Sequence, residues 1–328
     1  MKEKMLSGIK PSGKLTLGNY IGAIKPFVSY QDEYEMFVFI ADLHAITVYQ
    51  DPEELRENTR SLILTYLAAG LDPKKCTIFK QSDVPYHNQL EWVLTCNTDL
   101  PDLTKMPQYK NYQEKFNNKA MPAGILMYPS MMNSDILLYQ ADKVPVGQDQ
   151  VPHTLLTKTV ADRFNKRYGE TFKIPEPIIS KTGAKIMSLS DPTKKMSKSE
   201  SDKGTIYLSD SSDVIYEKIK KAKTDGENRI YFDPENKPGI SNLLTIYAVL
   251  RGWTIEETSE YFKDWDYGKF KNEVATAVVF ELSTLQQKMK ELDETPYLID
   301  QVLNEGAEKA KEIAGLTLGR VYKKIGIQ

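Results

Sequence analysis

The chain is short of cysteine, of net charge and of long apolar runs, and each shortage excludes something. Its only cysteines, Cys76 and Cys96, lack CxxC spacing. That rules out a cysteine zinc site or a disulfide framework and leaves two small buried hydrophobes as the expectation. Lys and Arg number 43 against 45 Asp and Glu, a formal net charge of −2, so any nucleic-acid contact must come from local patches. No apolar run reaches the ~20 residues a membrane span needs. The opening MKEKMLSGIK is too short and polar to read as a signal peptide. These absences lead us to expect a cytoplasmic, reduced protein that makes no membrane contact. Neither GxGxxG nor GxxxxGK[ST] occurs in its glycine-containing turns, which removes the dinucleotide fingerprint and the P-loop.

What is present is an ordinary globular composition, 41% hydrophobic and 27% charged over 328 residues. That length suits two domains, or one large α/β domain with an appendage. Apolar runs predict strands over Met5–Ile9, Met36–Ala41, Thr77–Gln81 and Lys143–Gly147. Helices are expected between them over Asn19–Tyr30, from Asp51 to Gly70, over Tyr86–Thr95, Ser130–Gln140 and Asp149–Tyr168. The lysine-rich stretch 100–121 shows little periodicity and reads as irregular. Alternating strands and helices imply a parallel, doubly wound sheet whose ligands bind beyond the carboxyl ends of the strands. After residue 200 the pattern turns to amphipathic helices, with one short strand pair expected at Thr205–Leu208 and Arg229–Phe232.

Four stretches have the chemistry of a site. KPSGKLTLGNYIGA, residues 10–23, is a glycine-containing turn before a helix N-terminus, which suits phosphate or is simply structural. VPVGQDQ, 144–150, ends a strand in Gly147; Asp149 either caps the next helix or accepts from ribose hydroxyls. In YPSMMNSDILLY, 128–139, helical spacing puts Tyr128, Met132, Asp135 and Tyr139 on one face. An acid there is costly unless something satisfies it; a cap or a solvent-facing acid is the alternative. In DPTKKMSKSE, 191–200, Lys195 and Lys198 flank Met196 and Ser197. Composition alone favours a solvated linker there; the functional alternative is a mobile basic loop closing over a polyphosphate.

Together and in this order, the stretches resemble the class I aminoacyl-tRNA synthetases, and within them the bacterial-type tryptophanyl-tRNA synthetase family. KMSKS at 195–199 matches the class's second signature. TLGN at 16–19 matches its first, in the variant with Thr and Asn in place of the two histidines. PSGKLTLGNYIGA, DLHAITVYQDP, SDILLYQADKVPVGQDQ, ADRFNKRYGE and KPGISNLL extend the likeness along nearly the whole chain. Three places depart from the pattern. Lys10 stands where a glutamine usually precedes PSG. Leu6 stands where an aromatic can line the amino-acid pocket. The lysine-rich segment 105–119 does not align, and Lys110 and Lys115 are both candidates for a phosphate-binding lysine.

The resemblance implies a Rossmann-like catalytic domain over 1–200 that ends in the KMSKS loop. It also implies a helical, anticodon-binding domain over 201–328 whose last helix can pack back on the first domain. ATP is the implied co-substrate, with Mg²⁺ sharing the phosphate charge; no protein-held metal is expected. Tryptophan and tRNA(Trp) are the implied partners of a homodimer. Thr16 and Asn19, with Lys195 and Lys198, are the implied catalytic residues. Lys10, Pro11, Ser12, Gly18, Gly147, Gln148, Asp149, Ile186, Met196, Ser197 and Ser199 join them around ATP. Asp135 is the implied acceptor of the indole N–H, with Tyr128, Met132, Gln150, His44, Val144 and Val146 around the tryptophan. A tyrosyl-tRNA synthetase, an adenylyltransferase without tRNA, and a synthetase-like RNA-binding protein without activation are the competing expectations.

Overall fold

The computed structural model describes residues 2–116, 121–179, 185–197 and 202–327. Five parallel strands, β1 (Lys4–Ile9), β2 (Glu35–Ile40), β3 (Cys76–Lys80), β4 (Lys143–Val146) and β5 (Glu176–Ile179), form one sheet in the order β3-β2-β1-β4-β5. In register, Met5 lies between Met36 and Lys143, and Val144 pairs with Pro177. The chain winds outward from β1 in one direction and then from β4 in the other. The topological switch therefore falls between β1 and β4, where a crevice opens at the strand ends.

Alternation within the apolar runs builds both layers. Met36, Val38 and Ile40 of β2 face one core, with Ile78, Leu62 and Ile21. Phe37 and Phe39 face the other, with Phe79, Leu90, Leu137 and Val160. β2 is apolar on both faces because both are covered. The helix Pro52–Ala69 starts on Asp51, whose carboxylate accepts from the N–H groups of Glu53 and Glu54, and stops at Gly70 with φ 107°.

Several expectations are corrected. The fifth strand, Glu-Pro-Ile-Ile, carries a proline and sits at the sheet edge, where a missing N–H is tolerated and the periodic signal is weak. The stretch 100–121 is not wholly irregular, since it contains the helices Leu100–Thr104 and Pro107–Phe116. The helix expected from Ser130 runs over Gly124–Leu138 and carries Pro129 inside it. Its partner begins at Val151, after a 3₁₀ turn over Gln148–Gln150, so Asp149 is not its cap. Residues 205–208 do not pair with 229–232. Leu17 N–H donates to the Ile206 carbonyl and Leu208 N–H to that of Leu15, tying this stretch to the first signature instead. Cys76 is buried as expected, but Cys96 is exposed.

Past residue 211 the chain is mainly helical: Ser212–Lys220, Pro238–Arg251, Ile255–Phe262, Tyr267–Asp293 and Pro296–Ile325. The last of these joins the core of the sheet half through Ala307, Ala310, Ala314 and Leu318. It lies so close to β3 that a Cβ on Gly306 would stand 1.9 Å from the Ile78 carbonyl oxygen. Only glycine fits there.

Candidate active site

The first wall of the crevice is the turn after β1. Thr16 caps the helix Leu17–Asn19 in a reciprocal box. Asn19 N–H donates to Thr16 Oγ1 at 3.2 Å, and Thr16 N–H donates to Asn19 Oδ1 at 3.1 Å. Thr16 is buried and its side chain is spent on this cap. The two signature residues shape the turn, and Asn19 stays half-exposed. Pro11 is buried and Ser12 half-buried. Lys10 is open to solvent, yet enough protein surrounds it that desolvation lowers its pKa.

The second wall is the stretch 186–197. Met187 and Lys195 form an antiparallel bridge, and Met196 N–H donates to the Ile186 carbonyl at 2.9 Å. That oxygen of Ile186, a residue expected to flank adenine through its backbone, is occupied. Met187 is clamped by one side chain: its N–H donates to Asn242 Oδ1 at 2.8 Å, and its carbonyl accepts from Asn242 Nδ2 at 2.9 Å. The one apolar residue of the basic stretch, Met196, is buried against Gly18: a Cβ on Gly18 would lie 3.6 Å from Met196 Cβ and carbonyl oxygen. Thr205 Oγ1 donates to the Ser197 carbonyl. The two signatures are thus in contact, which composition did not foretell. Lys198 and Ser199 lie outside the described residues.

Beyond β4, Gly147, Gln148 and Asp149 are exposed. The Asp149 carboxylate bends back so far that a Cβ on Gly147 would meet its Oδ1 at 2.8 Å. Burial alone would raise the Asp149 pKa; a hydrogen bond from the Gln150 amide at 3.1 Å and the charge of Lys195 hold it below the usual range. Lys195 is therefore within electrostatic reach of the crevice.

The deep end is built on the helix Gly124–Leu138. Asp135 is buried, and three donors meet it. Gln81 Nε2 and His87 Nδ1 each lie 2.7 Å from Oδ1, and His44 Nε2 lies 2.7 Å from Oδ2. Burial pushes its pKa up, but the two histidines outweigh burial and bring it to about 2. His87 Nε2 continues to the Tyr139 hydroxyl at 2.9 Å. Tyr128 and His153 are hydrogen-bonded, and the Tyr128 ring stands 6.3 Å edge-on from that of His44. Among the described residues, His153 Nδ1 is buried without a hydrogen-bond partner. Burial, partly offset by Asp149, pushes this imidazole down to about 4, so the ring is neutral. Met132 and Val146 are half-buried and Val144 is buried. Leu6 is buried in the core beneath, with Phe37.

Gln81, His87 and His153 escaped the sequence reading. The available signal was scarcity, because the chain has only three histidines and all three meet here. Lys110 is exposed on the helix Pro107–Phe116, and the Lys115 side chain lies outside the described residues.

A doubly wound parallel sheet, a crevice at its switch point and two signatures in contact across it define a nucleotide-using synthetase. The family model described as tRNA synthetases class I (W and Y) matches residues 2–283, and the chain belongs to that family. Within it, the chain is similar to the tryptophan–tRNA ligase of Listeria monocytogenes: 50% identical over 329 residues, covering 100% of this chain and 98% of that protein. The structure of tryptophanyl-tRNA synthetase from Mycoplasma pneumoniae superposes with a TM-score of 0.93 at 36% identity, covering 99% and 98% of the two chains. That of Campylobacter jejuni, described as complexed with ADP and tryptophan, gives 0.81 at 32% identity, covering 98% and 99%.

Proposed function

We propose that the chain is a tryptophan–tRNA ligase acting in two steps. A carboxylate oxygen of tryptophan attacks the α-phosphorus of ATP, and the bond to the pyrophosphate leaving group breaks. A ribose hydroxyl of the terminal tRNA nucleotide then attacks the acyl carbon of the adenylate, and AMP leaves. Neither step uses a protein nucleophile; the protein aligns the groups and stabilises charge. The observation that carries this reading is the contact between the two signatures, Met196 on Gly18, with Lys195 in electrostatic reach of Asp149.

In this reading Lys195 and Lys198 take the departing pyrophosphate, with Lys10 close by. Gly18, Asn19 and Thr16 shape the phosphate turn, while Pro11, Ser12, Ser197 and Ser199 complete its edge. Gly147, Gln148 and Asp149 face the ribose. Asp135 accepts the indole N–H, a donor that needs an acceptor. Tyr128, Met132, Val144, Val146, His44 and Gln150 shape the amino-acid pocket. Among the described residues no group of three or more His, Cys, Asp or Glu could hold a metal ion. Mg²⁺ would arrive on the ATP phosphates, and no step is assigned to it.

Residues 1–200 serve as the catalytic part and 201–328 as the tRNA-reading part, with the last helix packed on the former. Homodimerisation and a cytoplasmic location follow from the same reading. Among the described residues no helix is long and apolar enough to cross a membrane. Tyrosine activation, adenylyl transfer without tRNA, and RNA binding without activation are set aside. ATP–pyrophosphate exchange tests the choice: it should depend on tryptophan, and exchange with tyrosine alone would overturn it.

A further inference from the structure

We infer that Gln81 and His87 are positioning residues that set tryptophan specificity. They commit one oxygen of Asp135 to the protein and leave the other for the substrate, with His44 standing in for the substrate's N–H until it arrives. This rests on the reading that Asp135 meets the indole.

The asymmetry of the two oxygens carries the inference. Oδ1 accepts from two donors, Gln81 and His87, both fully buried. Oδ2 has one partner among the described residues, His44, whose side chain is the more exposed at 11%. A carboxylate offers about four lone-pair directions, so Oδ1 is filled by two buried groups, while Oδ2 keeps a lone pair beside the less buried His44. His44 sits on the short helix Asp42–Ala45, with its ring edge-on to Tyr128, a wall of the same pocket. An ionised Asp135 only accepts, so His87 carries its proton on Nδ1. In the neutral ring Nε2 then accepts from Tyr139, which locks the tautomer. A buried carboxylate with an unpaired oxygen would be costly, and His44 removes that cost in the free protein.

The groups that bear on the Asp135 charge are His44 from that short helix, His87 and Glu91 from the helix Tyr86–Thr95, and Tyr139 through His87. Glu91 is a like charge, and its own pKa is raised by burial and by Asp135.

The test is tryptophan- and ATP-dependent pyrophosphate exchange on the full chain, with kcat and KM measured across pH. Gln81→Met, close in volume and without a donor, should raise KM for tryptophan about tenfold and leave KM for ATP unchanged. It should also narrow discrimination against tyrosine. His87→Leu should do more, and His87→Gln, which keeps a donor, should recover part of the loss. If His87→Leu fails to fold, Gln81→Met decides. A parallel rise in both KM values, or an unchanged KM for tryptophan, would overturn the inference. Asp135→Asn separates the two levels. If it leaves KM for tryptophan unchanged, the indole reading itself falls. If it raises that KM while Gln81→Met does not, only the positioning role falls.

Discussion

In the proposed reading, the two ends of the crevice are built on opposite terms. At the amino-acid end Asp135, His87 and Gln81 are buried and mutually hydrogen-bonded before any ligand arrives. At the phosphate end Lys10, Gly147, Gln148, Asp149 and Lys195 are exposed. The contrast follows from what each end must do. Telling one aromatic amino acid from another needs a dry, rigid acceptor, because leaving a buried acceptor unpaired is what rejects the wrong ligand. Holding and then releasing a polyphosphate needs charge that stays solvated until it is used, and compact lysine charges suit a group that must depart. That end is held from below, by the Asn242 amide on the Met187 backbone and by the buried Met196 against Gly18.

The largest break should come from the buried end. Asp135→Ala removes the acceptor and strands three donors, so kcat/KM for tryptophan should fall by about 10⁴-fold, with KM for ATP nearly unchanged. Equal losses for both substrates would erase the division between the ends.

Burial should also make that end sensitive to acid through His153. Unfolded, its ring takes a proton near 6.5; folded, burial holds the value at about 4. The unfolded state therefore binds the proton first, and stability falls as pH drops from about 6.5 to 4, by about 3 kcal/mol at most from this ring. Asp135 works in a lower window. Its folded pKa is depressed to about 2, so its contribution is full above the ordinary carboxylate range and is lost only as pH falls toward 2. Urea unfolding of His153→Gln should show a flatter dependence between pH 6.5 and 4 than the parent. Parallel curves would mean that the ring is not held neutral.

The same contrast governs how much was legible in the sequence. Strands β1 to β4 and the helix from Pro52 to Ala69 announce themselves because buried apolar runs, or a cap at each end, leave a continuous local pattern; β3 is an edge strand too, but a buried one. β5 does not, since an edge strand needs neither unbroken apolarity nor every N–H. At the phosphate end the important residues sit in contiguous motifs, TLGN and KMSKS, and could be read directly. At the amino-acid end Asp135 was visible as an acid on an apolar face. Gln81 and His87 were not, because they and His44 come from three separate segments and meet only through the fold; His44 was placed by the resemblance, not by its spacing. The contact of Met196 with Gly18 is of the same long-range kind. The pairing of residues 205–208 was misassigned because a local pattern cannot say which distant strand completes it.

At the open end the effects should be smaller and should appear in rate rather than in amino-acid affinity. In the proposed reading, Lys195→Ala removes one of several cations that meet the pyrophosphate. Single-turnover adenylate formation should slow by about 10²-fold while KM for tryptophan stays within a factor of two or so. An unchanged rate would remove this stretch from the chemistry. A rise in tryptophan KM to match would show that the two ends are coupled more tightly than their burial suggests.

Lys10 gives the smallest and sharpest test, because its charge also bears on His153 at the other end. Its ammonium is solvent-exposed but partly desolvated, and its charge lowers the pKa of His153, the partner of Tyr128. If it belongs to the phosphate end, Lys10→Gln should raise KM for ATP by about three- to tenfold at low salt. The difference should shrink at higher ionic strength, as interactions of exposed charges do, and KM for tryptophan should not follow. The loss of a nearby cation should also let the His153 pKa rise, narrowing the acid-sensitive window described above. If tryptophan KM shifts instead and salt makes no difference, the lysine acts on the substrate's amino-acid side. The boundary between the dry and the solvated end would then lie one turn nearer to the nucleotide.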